Sequence, residues 1–145
     1  MSETAPSPPP RSVHLHAWLL PAAALAAGVL GVAALWLAAG LGLAAMCGWM
    51  ALVAAADMAL MLRLSAMAPG RARAWVSLAG TAVAIAVSGW LLAAAQIGVL
   101  LGLAPWESAH RIGPGLVWDL LRYGSGPWDW AFVLLALPLA WRLGR

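Results

Sequence analysis

Lysine is absent from this chain, acidic residues number only five, and cysteine occurs once. Each scarcity excludes something. Charged residues make up 9% of the sequence against 64% from the apolar set, whereas a soluble domain carries about 25% charged and about 45–50% apolar residues. A water-soluble fold of that composition could not cover its own surface with polar groups. The lone Cys47 cannot close an internal disulfide and rules out any zinc or iron–sulfur motif built from several cysteines. Without lysine, all eight basic residues are arginine. They sit at the edges of apolar runs and form no basic patch interleaved with aromatics, which argues against a nucleic-acid partner. Arginine without lysine, on an Ala-, Leu- and Gly-rich background, fits GC-rich coding and a bacterial source.

What is present is a series of apolar runs. Residues 1–16 (Pro- and Ser-rich at first, then flanking the membrane) have little to bury and read as a disordered cytoplasmic tail. Residues 17–145 then read as one transmembrane domain. Spans are expected over about 17–39, 41–62, 75–103 and 128–142, each judged against the roughly 20 apolar residues that cross a bilayer. Pro21 is expected in the first turn of span one, where a missing N–H costs least. Gly40 and Gly42 punctuate the chain between the first two spans, and Pro69-Gly70 marks a wet turn before the third. Between the third and fourth spans, Ala109, Ile112, Gly113, Leu116, Val117 and Leu120 recur at helical spacing, with Glu107, Arg111, Asp119 and Arg122 mostly off that stripe. This describes an amphipathic helix lying in the membrane interface, kinked or split at Pro114. The fold class expected is therefore an all-α, four-transmembrane-helix bundle with that interfacial helix between spans three and four.

Orientation follows from the arginines. Arg11, Arg63, Arg71, Arg73, Arg142 and Arg145 share one side under this topology. Arg111 and Arg122 lie on the other, offset by Glu107 and Asp119. The positive-inside rule then places both termini in the cytoplasm of a multi-pass inner (plasma) membrane protein. Trp18, Trp75 and Trp141 would mark the cytoplasmic interface, and Trp36, Trp106, Trp128 and Trp130 the outer one. Trp49 and Trp90 fall within the spans and are expected to face neighbouring helices, each seeking an acceptor for its N–H.

Buried polarity is sparse. Asp57, inside the second span, carries an insertion cost of about 2.5–3.5 kcal/mol at a helix centre. It reads either as a structural tie to Ser77, Thr81 or Arg73 or as a functional intramembrane carboxylate. Gln96, near the outer end of the third span, reads as interhelical glue, meeting a backbone carbonyl or Asp129. Small residues repeat at four-residue spacing in Ala24/Gly28, Ala27/Gly31, Ala44/Gly48 and Gly80/Ala84/Ser88, a pattern that permits close helix approach. His14 and His16 on one flank, and His110 on the other, do not assemble a metal site. No catalytic, cofactor-binding or metal-ligating set emerges, and an enzyme is not expected. The reading is of a small structural or accessory protein whose partners are the bilayer, other copies of itself or a larger membrane complex. The rival is a homodimeric, proton-coupled carrier built on Asp57.

Overall fold

The long Ala- and Leu-rich runs of this chain have high helix propensity, and the fold follows it. The computed structural model describes residues 12–145, with side chains from Leu19 onward apart from Pro105. Among these residues the elements are α1 (Ser12–Leu43), α2 (Met50–Leu64), α3 (Arg71–Leu101), α4 (Pro105–Arg111), α5 (Pro114–Gly124) and α6 (Pro127–Gly144), with no strand. Residues 1–11 of the expected tail lie outside the described residues, as do the side chains of His14, His16 and Trp18. Residues 12–16, read as tail, belong to α1, so Pro21 sits in the helix interior and not in its first turn.

Two helices are long and apolar enough to cross a membrane: α1 over Leu19–Leu43 and α3 over Arg71–Leu101. The other two expected spans are not among them, and the second is also shorter than the sequence implied. The second was expected over 41–62, but α1 runs through Gly40 and Gly42 to Leu43, and the chain turns only over 44–49. Gly40 serves packing, not punctuation: a Cβ there would lie 2.5 Å from Leu92 Cδ1. What remains is α2, of 15 residues, about 22 Å at 1.5 Å per residue against a hydrocarbon core of about 30 Å. The fourth, α6, has 18 residues and carries Asp129 and Arg142 within them.

Three helices end in the same way. Ala45 N–H reaches Gly40 O at 3.1 Å, Met67 N–H reaches Leu62 O at 3.4 Å, and Leu103 N–H reaches Gly98 O at 2.9 Å. In each case the preceding residue is left-handed: Ala44 (φ 48°), Ala66 (φ 57°) and Gly102 (φ 66°). This is the Schellman closure, which satisfies orphan carbonyls at a helix end. Glycine adopts it without strain, whereas alanine does so at a cost of about 1 kcal/mol.

Helices α1 and α6 each pack on both α2 and α3 and do not touch one another, so they flank the α2–α3 pair on opposite sides. The seams are made of small side chains. Ala51, Ala54, Ala55, Ala84, Ala136 and Ala140 are fully buried. Gly28 meets Met58, Gly80 meets Leu25 and Met58, and Gly144 meets Ala74 and Ser77. Of the small-residue rows, Gly28, Gly80, Ala84 and Ser88 lie in these buried seams. Ala27 is exposed, and Gly31 faces open space.

The 105–124 segment is split at Gly113-Pro114 into α4 and α5, and both fold back onto α3. Ser108 Oγ donates to Ala94 O at 2.6 Å, and Trp90 Nε1 donates to Ala109 O at 3.2 Å. From the expected apolar stripe, Ile112 and Val117 are buried with Ala93 and Ala94, while Leu116 remains exposed.

Candidate functional site

The direction of α6 is set by two polar ties, one at each end. At its start, Asp129 Oδ1 accepts the Gly48 N–H at 2.7 Å and Oδ2 accepts the Gly126 N–H at 2.9 Å. One carboxylate thus caps its own helix and fastens it to the α1–α2 turn. At its finish, Arg73 Nε donates to Gly144 O at 2.9 Å and Arg63 Nη2 to Leu143 O at 3.2 Å. Cationic donors on the last carbonyls of a helix satisfy orphan acceptors and oppose the negative end of its dipole. Arg63 and Arg73, from either side of the α2–α3 loop, thereby meet the chain end that carries Arg142 and Arg145. Trp75 and Trp141 stack edge-on there at 4.9 Å, with the Arg145 guanidinium 5.4 Å from the Trp141 ring.

Asp57 does not make the ties considered for it. Arg73 is committed to Gly144 O and, through Nη1, to Met67 O at 3.2 Å. Thr81 Oγ1 donates to Ser77 O at 2.8 Å, one turn back on its own helix. Ser77 Oγ is buried without a partner. Asp57 faces α1 instead: a Cβ built on Gly28 would lie 2.9 Å from its Oδ2. That oxygen is buried and accepts no hydrogen bond. Asp57, Ser77 and Thr81 therefore do not converge on one network. Gln96 is half-buried beside Asp119 and Tyr123 in a shallow groove under α5, away from the Asp129 carboxylate, whose two oxygens are both engaged elsewhere.

An aromatic concavity lies elsewhere, between α3, α5 and the first turns of α6, with Trp36 of α1 and the α1–α2 turn also lining it. Its volume is about 400 Å³, and Trp36, Trp90, Trp118 and Trp130 line it together with the polar Ser125 and Asp129. Trp36 Nε1 donates to Met46 O at 2.9 Å, so its N–H, like that of Trp90, is spent on backbone. Trp118 and Trp130 meet edge-on at 5.9 Å. Trp36, expected in an outer belt, is buried instead. Trp49, expected to face a helix neighbour, stands exposed in the turn before α2. Trp90 does face a neighbour, in α4. The cavity is invisible in the sequence because its walls come from distant segments brought together when α4 and α5 fold back.

Cys47 is buried in the turn behind Asp129. Burial first, and the Asp129 charge second, push its thiol above the ordinary value, against a smaller opposing effect from a Trp49 hydrogen bond. Among the described residues, no three His, Cys, Asp or Glu side chains gather as a metal site would require. No protein-family model matches the chain, and neither a curated protein nor a solved structure shows significant similarity to it.

Proposed function

We propose that this chain is a multi-pass membrane protein of structural or accessory type: a four-helix bundle of α1, α2, α3 and α6, with α4 and α5 at the outer interface. The observation that carries the reading is the apolar surface of those helices. Leu30, Leu35, Leu60, Val83, Leu134 and Leu135 all stand exposed. A soluble monomer rarely shows contiguous apolar patches beyond a few hundred Å², whereas lipid covers them without cost. Short α2 and α6 reach the interfaces with help from their flanks: mismatch of a few ångströms is met by local thinning and by snorkelling arginines at a modest cost. The two ends of the bundle differ in charge. Arg63, Arg73, Arg142 and Arg145 favour the cytoplasm for one end, while at the other Arg111 and Arg122 are offset by Glu107, Asp119 and Asp129.

The interior argues for packing over transport. Ala and Gly fill the seams, and Asp57, Ser77 and Thr81 form no continuous polar path. On this reading the chain works by associating with itself or with a larger inner-membrane complex, without enzymatic chemistry. Chemical crosslinking in native membranes, followed by purification in mild detergent, tests it. A defined homo-oligomer or a stoichiometric membrane subunit is the expected product, and a free monomer would contradict it.

One observation favours a second reading, a homodimeric proton-coupled carrier: the unpartnered Asp57 Oδ2. Intramembrane carboxylates mark proton paths and ion paths. Substrate-dependent proton release that disappears in Asp57→Asn would establish it over the accessory role.

A further inference from the structure

We propose that the cavity between α3, α5 and α6 binds an organic cation carrying a flat apolar ring system. Its volume of about 400 Å³ falls within the range of about 300–1,000 Å³ usual for small-molecule sites. The chemistry of its wall selects among ligands. Four of its lining residues are tryptophans, and the N–H groups of Trp36 and Trp90 already donate to Met46 O and Ala109 O. Those two rings therefore have no free N–H donor for a ligand, which leaves their π systems to interact with it. Among the described residues, Asp129 is the one charged member of the lining; its carboxylate is held by two backbone N–H groups and no described arginine pairs with it. Ring faces and carboxylate alike set up negative potential, so an anion is repelled. A neutral ligand gains stacking alone, whereas a cationic ring gains stacking, cation–π attraction and the field of Asp129 together.

The surroundings supply a route in. A second, shallow groove on the flank of α3 shares Ala86 and Trp90 with the cavity. Trp118 on α5 is more than half exposed, so the mouth lies on the surface of the fold and not in its sealed interior. Ser125 and Asp129, near the start of α6, are the polar residues of its lining, beside apolar ones such as Ile85 and Val133. The site thus combines a largely apolar, aromatic wall for the ring system with one carboxylate, Asp129, for the charge.

Titration calorimetry on the full chain in nanodiscs, at pH 8, tests this with three bicyclic probes: N-methylquinolinium (cation), quinoline (neutral at that pH) and 1-naphthoate (anion). The expected result is saturable N-methylquinolinium binding, at least about tenfold tighter than quinoline, with naphthoate weakest. Asp129→Asn keeps the side-chain shape and should remove most of the preference for the cation. Trp118→Leu, a change on the exposed α5 that leaves the helix seams intact, should weaken N-methylquinolinium by about tenfold and serves if the Asn variant does not fold. Quinoline binding as tight as the cation, no saturable cation binding, or an unchanged affinity in Trp118→Leu would each overturn the proposal.

Discussion

The Asp129 carboxylate accepts the Gly48 N–H at 2.7 Å across 81 positions of sequence, and this one bond joins the start of α6 to the turn between α1 and α2. The approach is close because residue 48 has no side chain: a Cβ there would overlap Asp129 itself. With the cap on Gly126 at 2.9 Å, Asp129 satisfies two donors. Asp129→Ala should therefore destabilise the fold by about 2–3 kcal/mol, the range for losing a charge-assisted bond together with the N3 half of a capping box. Asp129→Asn, which keeps one good acceptor, should cost about half as much. Equilibrium unfolding in mixed detergent measures both, and an Ala variant as stable as the parent would show that the tie is immaterial.

The same carboxylate reaches Cys47 electrostatically. Because burial and the Asp129 charge hold the thiol above its ordinary value of 9.0, the reactive thiolate is scarce at neutral pH. Maleimide labelling of the folded protein should be slow at pH 7 and rapid once the chain is unfolded. Asp129→Asn should shift the rate profile to lower pH by removing one of the raising influences. A folded pKa above the unfolded one means that the folded state retains its proton longer. Cys47 thus contributes stability that is fully present below pH 9.0 and is lost as pH rises through the raised value.

The three Schellman ends give a paired prediction about backbone strain. Ala66 and Gly102 occupy equivalent left-handed positions. Gly102→Ala should cost about 1 kcal/mol, and Ala66→Gly should be stabilising by up to about 1 kcal/mol, since the exposed Ala66 gives up little packing. Thermal unfolding of the two variants should move in opposite directions. A shift of both in the same direction would contradict the assignment.

How much of this was legible in the sequence depends on which physical signal carried it. Helicity and the split at Pro114 followed from composition and from proline chemistry, which act locally. The end of α1 was misread because Gly40 looks like a turn residue, yet its missing side chain admits Leu92 from α3, 52 positions away. Asp57 was recognisable as costly, but its neighbour is Gly28 on α1 and not Ser77, Thr81 or Arg73. Helix rotation decides that, and an Ala-rich chain with small residues on many faces gives no periodicity from which to infer it. The aromatic cavity was illegible for a related reason: its walls depend on α4 and α5 folding back along α3.

Asp57 itself yields a further expectation. With Oδ2 unpartnered against α1, Asp57→Asn should leave stability within about 0.5 kcal/mol of the parent, the size of an average interhelical hydrogen bond in a membrane. Gly28→Ala should cost more than Asp57→Asn, because its new Cβ would lie 2.7 Å from Met58 Cε and 2.9 Å from the carboxylate, and both side-chain ends must shift. Unfolding in SDS titration compares the two. A large loss in Asp57→Asn would reveal a partner that the static fold does not contain.

The central claim is that α1, α2, α3 and α6 all cross the bilayer, with the arginine-rich end inside. Compartment-specific reporters fused after Arg145 and, separately, after Gly124 test it most directly. The account predicts opposite signals: cytoplasmic at Arg145, external at Gly124. The same compartment at both positions would contradict it, since α6 would then not cross.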